Sequence, residues 1–240
     1  MIQSSDHPIA LVYRSLANSY GPLHWWPAKT RFEVIVGAFL TQNTSWKNVE
    51  LALQNLRRAR GLSVAGIRQM ALTDLEQLVR PSGYYRQKAA RLKAFVAYLD
   101  QRYRGSLTRM FAQPVESLRP ELLSQNGIGP ETADAILLYA ARLPVFVVDA
   151  YTKRIFERHS LAASGAKYEE IRSKVESSLA ALFEPGELAD HYNEFHALIV
   201  QVGKDHCGSV AQCEGCPLQH LLPYHEKLLA SARQNKSVQK

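Results

Sequence analysis

Residues 122–137, LLSQNGIGPETADAIL, join two helical segments through a short turn bounded by Gly127 and Gly129. Glycine permits the positive φ that such a tight turn needs, and it lets another backbone approach closely. Ile128 is expected to plug the turn into the core, while Pro130 suits the first position of the second helix, where no amide donor is required. The outward amides of this hairpin then form an anion site that suits a DNA phosphate and is indifferent to base sequence.

A helix-turn-helix junction without a ligand remains an alternative for the hairpin taken alone. The position of Asp149 favours the DNA-binding interpretation, because it lies eighteen residues after Glu131, just past the end of the helix that the hairpin begins. The alternative for Asp149 is an N-cap that accepts a backbone amide of the helix beginning at Ala150. With the hairpin present, the pattern favours a catalytic carboxylate, and both roles can coexist in one residue.

Most of the remaining chain shows helical periodicity. Residues 31–43 are apolar nearly all round, as expected of a helix buried in the middle of a bundle. Single apolar stripes at spacings of three and four, typical of outer helices, run through residues 47–60, 85–103 and 168–182. The only strand-like run, residues 144–148, has no partner of matching pattern. The sequence therefore predicts an all-α fold.

Composition and charge narrow the function classes. Lys and Arg outnumber Asp and Glu by 29 to 22 in 240 residues, and the formal charge of +7 makes a polyanion a reasonable partner. The N-terminal residues do not show the signal-peptide pattern of a basic start followed by a long apolar stretch. No run approaches the roughly 20 apolar residues of a membrane span, so we expect a cytoplasmic protein without a membrane partner. Three cysteines crowded near the C-terminus suit a present or former metal site better than a disulfide scaffold.

Four separated motifs, in the same order, resemble those of the endonuclease III superfamily of DNA glycosylases, in particular the endonuclease III-like 3-methyladenine DNA glycosylases. They are residues 24–27 (HWWP), 40–44 (LTQNT), 79–85 (VRPSGYY), and 127–129 (GIG) with 133–137 (ADAIL). The resemblance implies a two-domain helical fold with the active-site cleft between the domains. Residues 31–141 would form the bundle that carries the helix-hairpin-helix, and residues 1–30 with 142–240 the second domain. The implied partner is double-stranded DNA containing a damaged base, bound by a monomer.

The resemblance also implies a base-excision-repair N-glycosylase in which Asp149 is the catalytic carboxylate. Breaking an N-glycosidic bond leaves positive charge on the sugar, which a carboxylate stabilises while it helps to orient or deprotonate water. Bifunctional relatives carry a lysine two residues after the second hairpin glycine, where its neutral amine forms a Schiff base. Glu131 stands there in this chain, so we expect hydrolysis of the N-glycosidic bond by water, without strong lyase activity and without a required metal. The resemblance favours an alkylated purine such as 3-methyladenine as the released base.

Two other functions remain open at this point, a bifunctional glycosylase with abasic-site lyase activity and a damaged-DNA binder without catalysis. Lys204 and Lys153 are the alternative nucleophiles for a lyase, although neither occupies the matching position. Lys204 is also expected to contact DNA.

The expected pocket for a flipped base is aromatic, because a glycosylase must hold its target outside the duplex by stacking. By resemblance, Trp26 and Trp46 would sandwich the base, with Trp25 and Pro27 shaping the wall. A cationic alkylated purine is attracted to such electron-rich faces. Tryptophans belonging simply to the core are the alternative.

Two further residues resemble those that relatives insert into the duplex. Gln42 matches the residue that fills the gap left by the flipped base, and Tyr84 stands where relatives place an intercalating wedge. Ordinary loop contacts are the alternative for both.

The cysteine loop, residues 207–222, departs from the family pattern. Many relatives hold a four-iron four-sulfur cluster with the spacing Cys-x6-Cys-x2-Cys-x5-Cys. This chain reads Cys207-x5-Cys213-x2-Cys216, with Leu222 at the fourth position. Either a cluster completed by His220 or His225, or a loop left by a lost cluster, accounts for this pattern.

Overall fold

The computed structural model describes residues 7–23 and 30–223, and this part of the chain is helical and contains no β-strand. The all-α prediction is confirmed. Its α-helices are α1 Pro8–Tyr20, α2 Arg31–Leu40, α3 Trp46–Arg58, α4 Val64–Gln69, α5 Leu72–Val79, α6 Tyr85–Tyr103, α7 Leu107–Phe111, α8 Val115–Leu123, α9 Pro130–Ala135, α10 Ala150–Arg158, α11 Tyr168–Ala180 and α12 Leu188–Asp205. A π-helix, Ile136–Ala141, continues α9, and 3-10 helices span Arg80–Ser82 and Gln219–Leu221.

The chain divides into two compact units. One contains Met1–Trp25 and Pro144–Lys240, and the other contains Trp26–Leu143. The sequence placed the corresponding boundaries near residues 31 and 141. Among the described residues no helix is long and apolar enough to cross a membrane.

In the unit Trp26–Leu143, α2 is the central helix. Residues 32–40 are all buried, and α2 packs against α3, α6, α9 and the π-helix. Its N-terminus is capped by the Thr30 hydroxyl, which accepts from the Glu33 amide at 3.1 Å. The helix ends at Leu40, three residues before the predicted end, and Asn43 then takes a left-handed conformation (φ 54°) that helical backbone excludes. Residues 41–45 therefore form a loop rather than a last helical turn.

In the unit with both termini, α12 is the central helix and packs against α1, α10 and α11. An aromatic cluster of Phe146, Tyr192 and Phe195 lies in its core. The strand-like run 144–148 forms no helix and pairs with no strand among the described residues. The backbone amides of this run donate instead to side chains of α11. Phe146 N donates to Glu176 Oε1 at 2.9 Å, and Val148 N donates to the Tyr168 hydroxyl at 3.2 Å. This segment delivers the chain to Asp149.

Candidate active site and DNA-contact loops

The hairpin connects α8 to α9 through residues 124–129. Gly127 has φ +83°, a conformation that L side chains rarely adopt, so glycine is required at this position. Ile128 is buried with 6% exposure, as predicted for a residue that plugs the turn. Gly129 is exposed and, as the N-cap of α9, has no side chain that could accept a hydrogen bond from the first amides of the helix. Such amides suit an anion.

A buried ion pair joins the two helices of the hairpin. Arg119 on α8 donates from Nε to Asp134 Oδ1 at 2.7 Å and from NH2 to Oδ2 at 3.0 Å. Asp134 on α9 is fully buried, and the Arg119 side chain is 14% exposed. This two-point contact fixes the angle at which both helices leave the turn, because the planar guanidinium matches the carboxylate in one orientation.

Gln42, the expected gap-filling residue, is held by the hairpin. Its Nε2 donates to Gly127 O at 3.1 Å and to Thr132 Oγ1 at 3.0 Å. Its Oε1 accepts from Arg91 NH1 at 2.9 Å. The loop after α2 and the hairpin turn are therefore connected through one amide side chain, a link that the sequence motif did not reveal.

Tyr84, the expected wedge, is the N-cap of α6 and is 66% exposed. Its φ of 45° is left-handed, which is uncommon for a bulky residue and carries a backbone cost. The ring is therefore accessible to a ligand, and the wedge role that the resemblance implied stays a prediction.

The aromatic pocket is described only in part. Trp25, Trp26 and Pro27 lie outside the described residues. Trp46 begins α3, is partly exposed, and donates from its indole nitrogen to Glu50 Oε1 at 3.0 Å. This hydrogen bond fixes the orientation of the indole, while its stacking partner remains a prediction.

Asp149 is the N-cap of α10, so the structural role foreseen for it is present. Oδ1 accepts from the Thr152 amide at 2.8 Å and from the Thr152 hydroxyl at 2.9 Å. Oδ2 makes no hydrogen bond to another described residue and lies 3.8 Å from His196 Nε2. The side chain is 15% exposed. One oxygen is anchored by two donors, and the other is left for an external group.

His196, on α12, was not singled out from the sequence, because one histidine among apolar residues indicates a core position. It is buried, and burial lowers its pKa, a change that the nearby Asp149 carboxylate only partly opposes. The imidazole is therefore neutral near pH 7, and at 3.8 Å its contact with Asp149 is not an ion pair. The negative charge of Asp149 is not compensated by this neighbour.

The alternative nucleophiles lie on the surface. Lys153 and Lys204 are both exposed, on α10 and in the last turn of α12. Glu131 is exposed in the first turn of α9, where the helix dipole favours an acid.

The three cysteines gather around one pocket but do not form a recognisable ligand set. Cys207, Cys213, Cys216 and Leu222 all line this pocket, and the three cysteines form no disulfide. Burial raises the pKa of Cys216, with smaller contributions from the other two thiols. Arg158 NH1 lies 3.0 Å from Cys207 Sγ. Among the described residues no group of three or more His, Cys, Asp or Glu side chains is arranged to hold a metal ion.

A four-cysteine cluster therefore does not fit the residues described, because Leu222 supplies no ligating atom at the fourth position. A guanidinium also points at one of the three thiols. His220 is exposed and lies 3.3 Å from the Ser15 hydroxyl, and His225 is outside the described residues.

Comparison with known proteins agrees with the fold and the hairpin. A family model described as "HhH-GPD superfamily base excision DNA repair protein" matches residues 36–181. The chain is 46% identical over 221 residues to "Putative DNA repair glycosylase MJ1434" of Methanocaldococcus jannaschii, covering 91% of this chain and 97% of that protein.

Two solved structures are similar over most of the chain. The 3-methyladenine DNA glycosylase MagIII of H. pylori, bound to 1,N6-ethenoadenine, has a TM-score of 0.71 at 33% identity and covers 85% of this chain and 98% of its own. An endonuclease III trapped as a covalent intermediate with DNA has a TM-score of 0.75 over 95% of this chain and 100% of its own, and at 23% identity it supports the fold alone. The chain therefore belongs to the HhH-GPD superfamily of base excision DNA repair proteins, as an endonuclease III-type DNA glycosylase.

Proposed function

We propose that this glycosylase releases its target base by hydrolysis with water, and that Asp149 is the catalytic carboxylate. The observation that carries the proposal is the division of labour between the two oxygens of Asp149. Oδ1 is fixed by the amide and hydroxyl of Thr152, whereas Oδ2 carries no hydrogen bond among the described residues. A carboxylate held in this way is oriented before substrate arrives.

The chemistry required of Asp149 is mainly electrostatic. As the bond to the base breaks, positive charge grows on the sugar, and a fixed anion beside it stabilises the transition state more than the ground state. A protonated neighbour would weaken this effect by compensating the anion. Burial keeps His196 neutral, so the charge of Asp149 is retained for the sugar and for orienting water.

Glu131 supports hydrolysis over lyase chemistry. Formation of a Schiff base needs an amine at the reacting carbon, and a carboxylate cannot supply one. With Glu131 at the first turn of α9, we expect water to complete the displacement and the abasic site to remain intact.

An alkylated purine such as 3-methyladenine is the proposed substrate class, in double-stranded DNA bound by a monomer. The support is the 33% identity to a 3-methyladenine DNA glycosylase whose structure contains 1,N6-ethenoadenine. The indoles of Trp26 and Trp46, with Trp25 and Pro27 shaping the wall, would supply the aromatic pocket that attracts a cationic base. The hairpin would hold a DNA phosphate, and Lys204 would contact the backbone. No step of the proposed reaction passes through the cysteine loop.

The test compares the wild type with Asp149→Asn and Glu157→Gln. Asparagine still accepts the Thr152 amide as an N-cap, so the fold is kept while the charge is lost. We expect single-turnover release of 3-methyladenine from methylated duplex DNA to fall by about 10²- to 10⁴-fold in Asp149→Asn. Glu157→Gln removes an exposed acid at the other end of the same helix and should leave the rate unchanged.

Two further outcomes separate the alternatives. A covalent adduct after borohydride treatment of the wild type with abasic DNA would identify a Schiff-base lyase and refute the hydrolytic mechanism. Binding to abasic DNA without release of any methylated, uracil or oxidised base would identify a binder without catalysis.

A further inference from the structure

Lys88 on α6 is buried, with 2% exposure, although lysine is rarely buried without a partner. Its ammonium group donates to Leu40 O at 2.9 Å and to Ser82 O at 2.6 Å. Leu40 is the last residue of α2 and directly precedes the loop that contains Gln42. Ser82 lies in the 3-10 helix that leads to Tyr84. One cation therefore holds the starts of two loops.

Arg91 lies one turn further along α6, on the same face as Lys88. Its side chain lies so close over Gly127 that a Cβ on that glycine would stand 2.9 Å from Arg91 Cγ and closer still to Cδ and Nε. Its NH1 donates to Gln42 Oε1, and Gln42 in turn donates to Gly127 O and Thr132 Oγ1. Arg91 therefore joins the Gln42 loop to the hairpin by packing and by hydrogen bonding.

We propose that Lys88 and Arg91 are positioning residues, which we call the cationic brace. The brace fixes three segments relative to each other: residues 41–45 (the Gln42 loop), residues 82–84 (the Tyr84 loop) and residues 124–129 (the hairpin turn). This proposal rests on the proposed function, because the three loops matter together only if they engage one damaged duplex. Gln42 as the gap-filling residue, Tyr84 as the wedge and the hairpin as the phosphate site must all match the geometry of one DNA duplex at the same time. Small misplacements in such a site are costly.

The contacts favour positioning over direct binding of phosphate by these two cations. Lys88 is almost inaccessible, and both carbonyls that it contacts belong to the backbone of this chain. Arg91 directs NH1 at Gln42, and its aliphatic stem is occupied by Gly127. A phosphate contact and a positioning contact also predict different salt dependence, because each neutralised phosphate adds about one to the slope of log K against log salt concentration.

The test uses Lys88→Met, Arg91→Met and Arg91→Lys, with Lys93→Met as the matched control. Lys93 lies on the same helix and also donates to two backbone carbonyls, those of Arg68 and Met70, but neither belongs to the three loops. Affinity is measured at several KCl concentrations for a duplex with one tetrahydrofuran abasic-site analogue and for the undamaged duplex. Release of 3-methyladenine is followed under single-turnover conditions across enzyme concentrations.

The brace predicts that Lys88→Met and Arg91→Met lower the preference for the abasic duplex about tenfold without changing the salt slope. Half-saturation should rise while the maximal rate of base release is kept, since Asp149 is untouched. Arg91→Lys should remain impaired because a point charge cannot reproduce the guanidinium geometry. Adding Gln42→Ala to Arg91→Met should cost less than Gln42→Ala costs in the wild type, as expected of residues in one network. Lys93→Met should match the wild type.

The brace is overturned if Arg91→Met reduces the salt slope by about one and keeps the preference, which would make Arg91 a phosphate contact. It is also overturned if Lys93→Met has the same effect or if Arg91→Lys restores full preference. If Lys88→Met does not fold, the Arg91 variants carry the test, because methionine retains the stem over Gly127. A wild type that releases no base and does not prefer the abasic duplex refutes the proposed function, whereas an active wild type with unchanged brace variants refutes the brace alone.

Discussion

Replacement of Arg119 by methionine is expected to destabilise the hairpin unit strongly. Asp134, its partner, has no exposed surface, and both guanidinium bonds are short, at 2.7 and 3.0 Å. Removing one member of a buried pair leaves the other charge in a medium that solvates it poorly, which costs about 3–5 kcal/mol. For a chain of this size each kcal/mol lowers Tm by roughly 2–4 °C, so a decrease on the order of 10 °C is expected.

The control for this prediction is Arg102→Met. Arg102 also donates to a carboxylate, Glu121 Oε1 at 3.2 Å, but its side chain is 68% exposed. Exposed pairs contribute about 0–1 kcal/mol, so this variant should unfold near the wild-type temperature. Urea and thermal unfolding, followed by circular dichroism, measure both variants against the wild type.

A double variant, Arg119→Met with Asp134→Leu, tests the cause. If the loss arises from a stranded charge, an apolar pair of similar size should recover most of it. The reasoning is refuted if Arg119→Met costs no more than Arg102→Met, or if the double variant is less stable than Arg119→Met alone.

Two other perturbations have defined outcomes. Gly203→Ala places a Cβ 2.8 Å from Tyr151 Cγ and 3.0 Å from Tyr151 Cβ; because Tyr151 cannot rotate its own Cβ away, α10 must move. The free energy of unfolding should fall by about 1–3 kcal/mol, and base release should slow because Asp149 is the N-cap of α10. Gly186→Ala, with open space around the glycine, should change neither quantity. Burial, together with the nearby Arg91, lowers the pKa of Lys88 to about 8. Below that pH, carrying a charge on this buried lysine lowers the free energy of unfolding. Since the unfolded chain binds more protons at this lysine between pH 8 and 10, Lys88 should add on the order of 2 kcal/mol to the free energy of unfolding from pH 7 to 9.5. The difference in urea-unfolding free energy between the wild type and Lys88→Met isolates this contribution from the tyrosines and Cys216, whose raised pKa values act in the opposite direction.

The sequence predicted best those elements whose signals are local. Apolar residues on every side of residues 32–40 identified a central helix, and glycines with a following proline identified the hairpin and the start of α9. These patterns depend on backbone geometry and on periodicity, which neighbouring residues determine. The end of α2 was placed at Asn43 rather than Leu40 because no glycine or proline marks it.

The burial of Lys88 and the contacts of Gln42 were beyond the sequence for a physical reason. Lysine in an amphipathic helix is normally solvated, and only the arrival of two carbonyls from distant segments makes its burial tolerable. Gln42 likewise contacts Gly127 and Thr132, which lie 85 and 90 positions further along the chain. Neither contact leaves a trace in local periodicity, so only the folded chain reveals the cationic brace.

The two interpretations of Asp149 become one when its oxygens are considered separately. An N-cap needs only one acceptor, and Thr152 occupies Oδ1 with both its amide and its hydroxyl. The same bonds remove rotational freedom from the side chain, so Oδ2 is positioned before substrate binds and less ordering is required at the transition state. The cap is thus part of what the proposed catalysis needs. A substitution at Thr152 that loosens Oδ1 should slow base release even though the Thr152 side chain itself is fully buried.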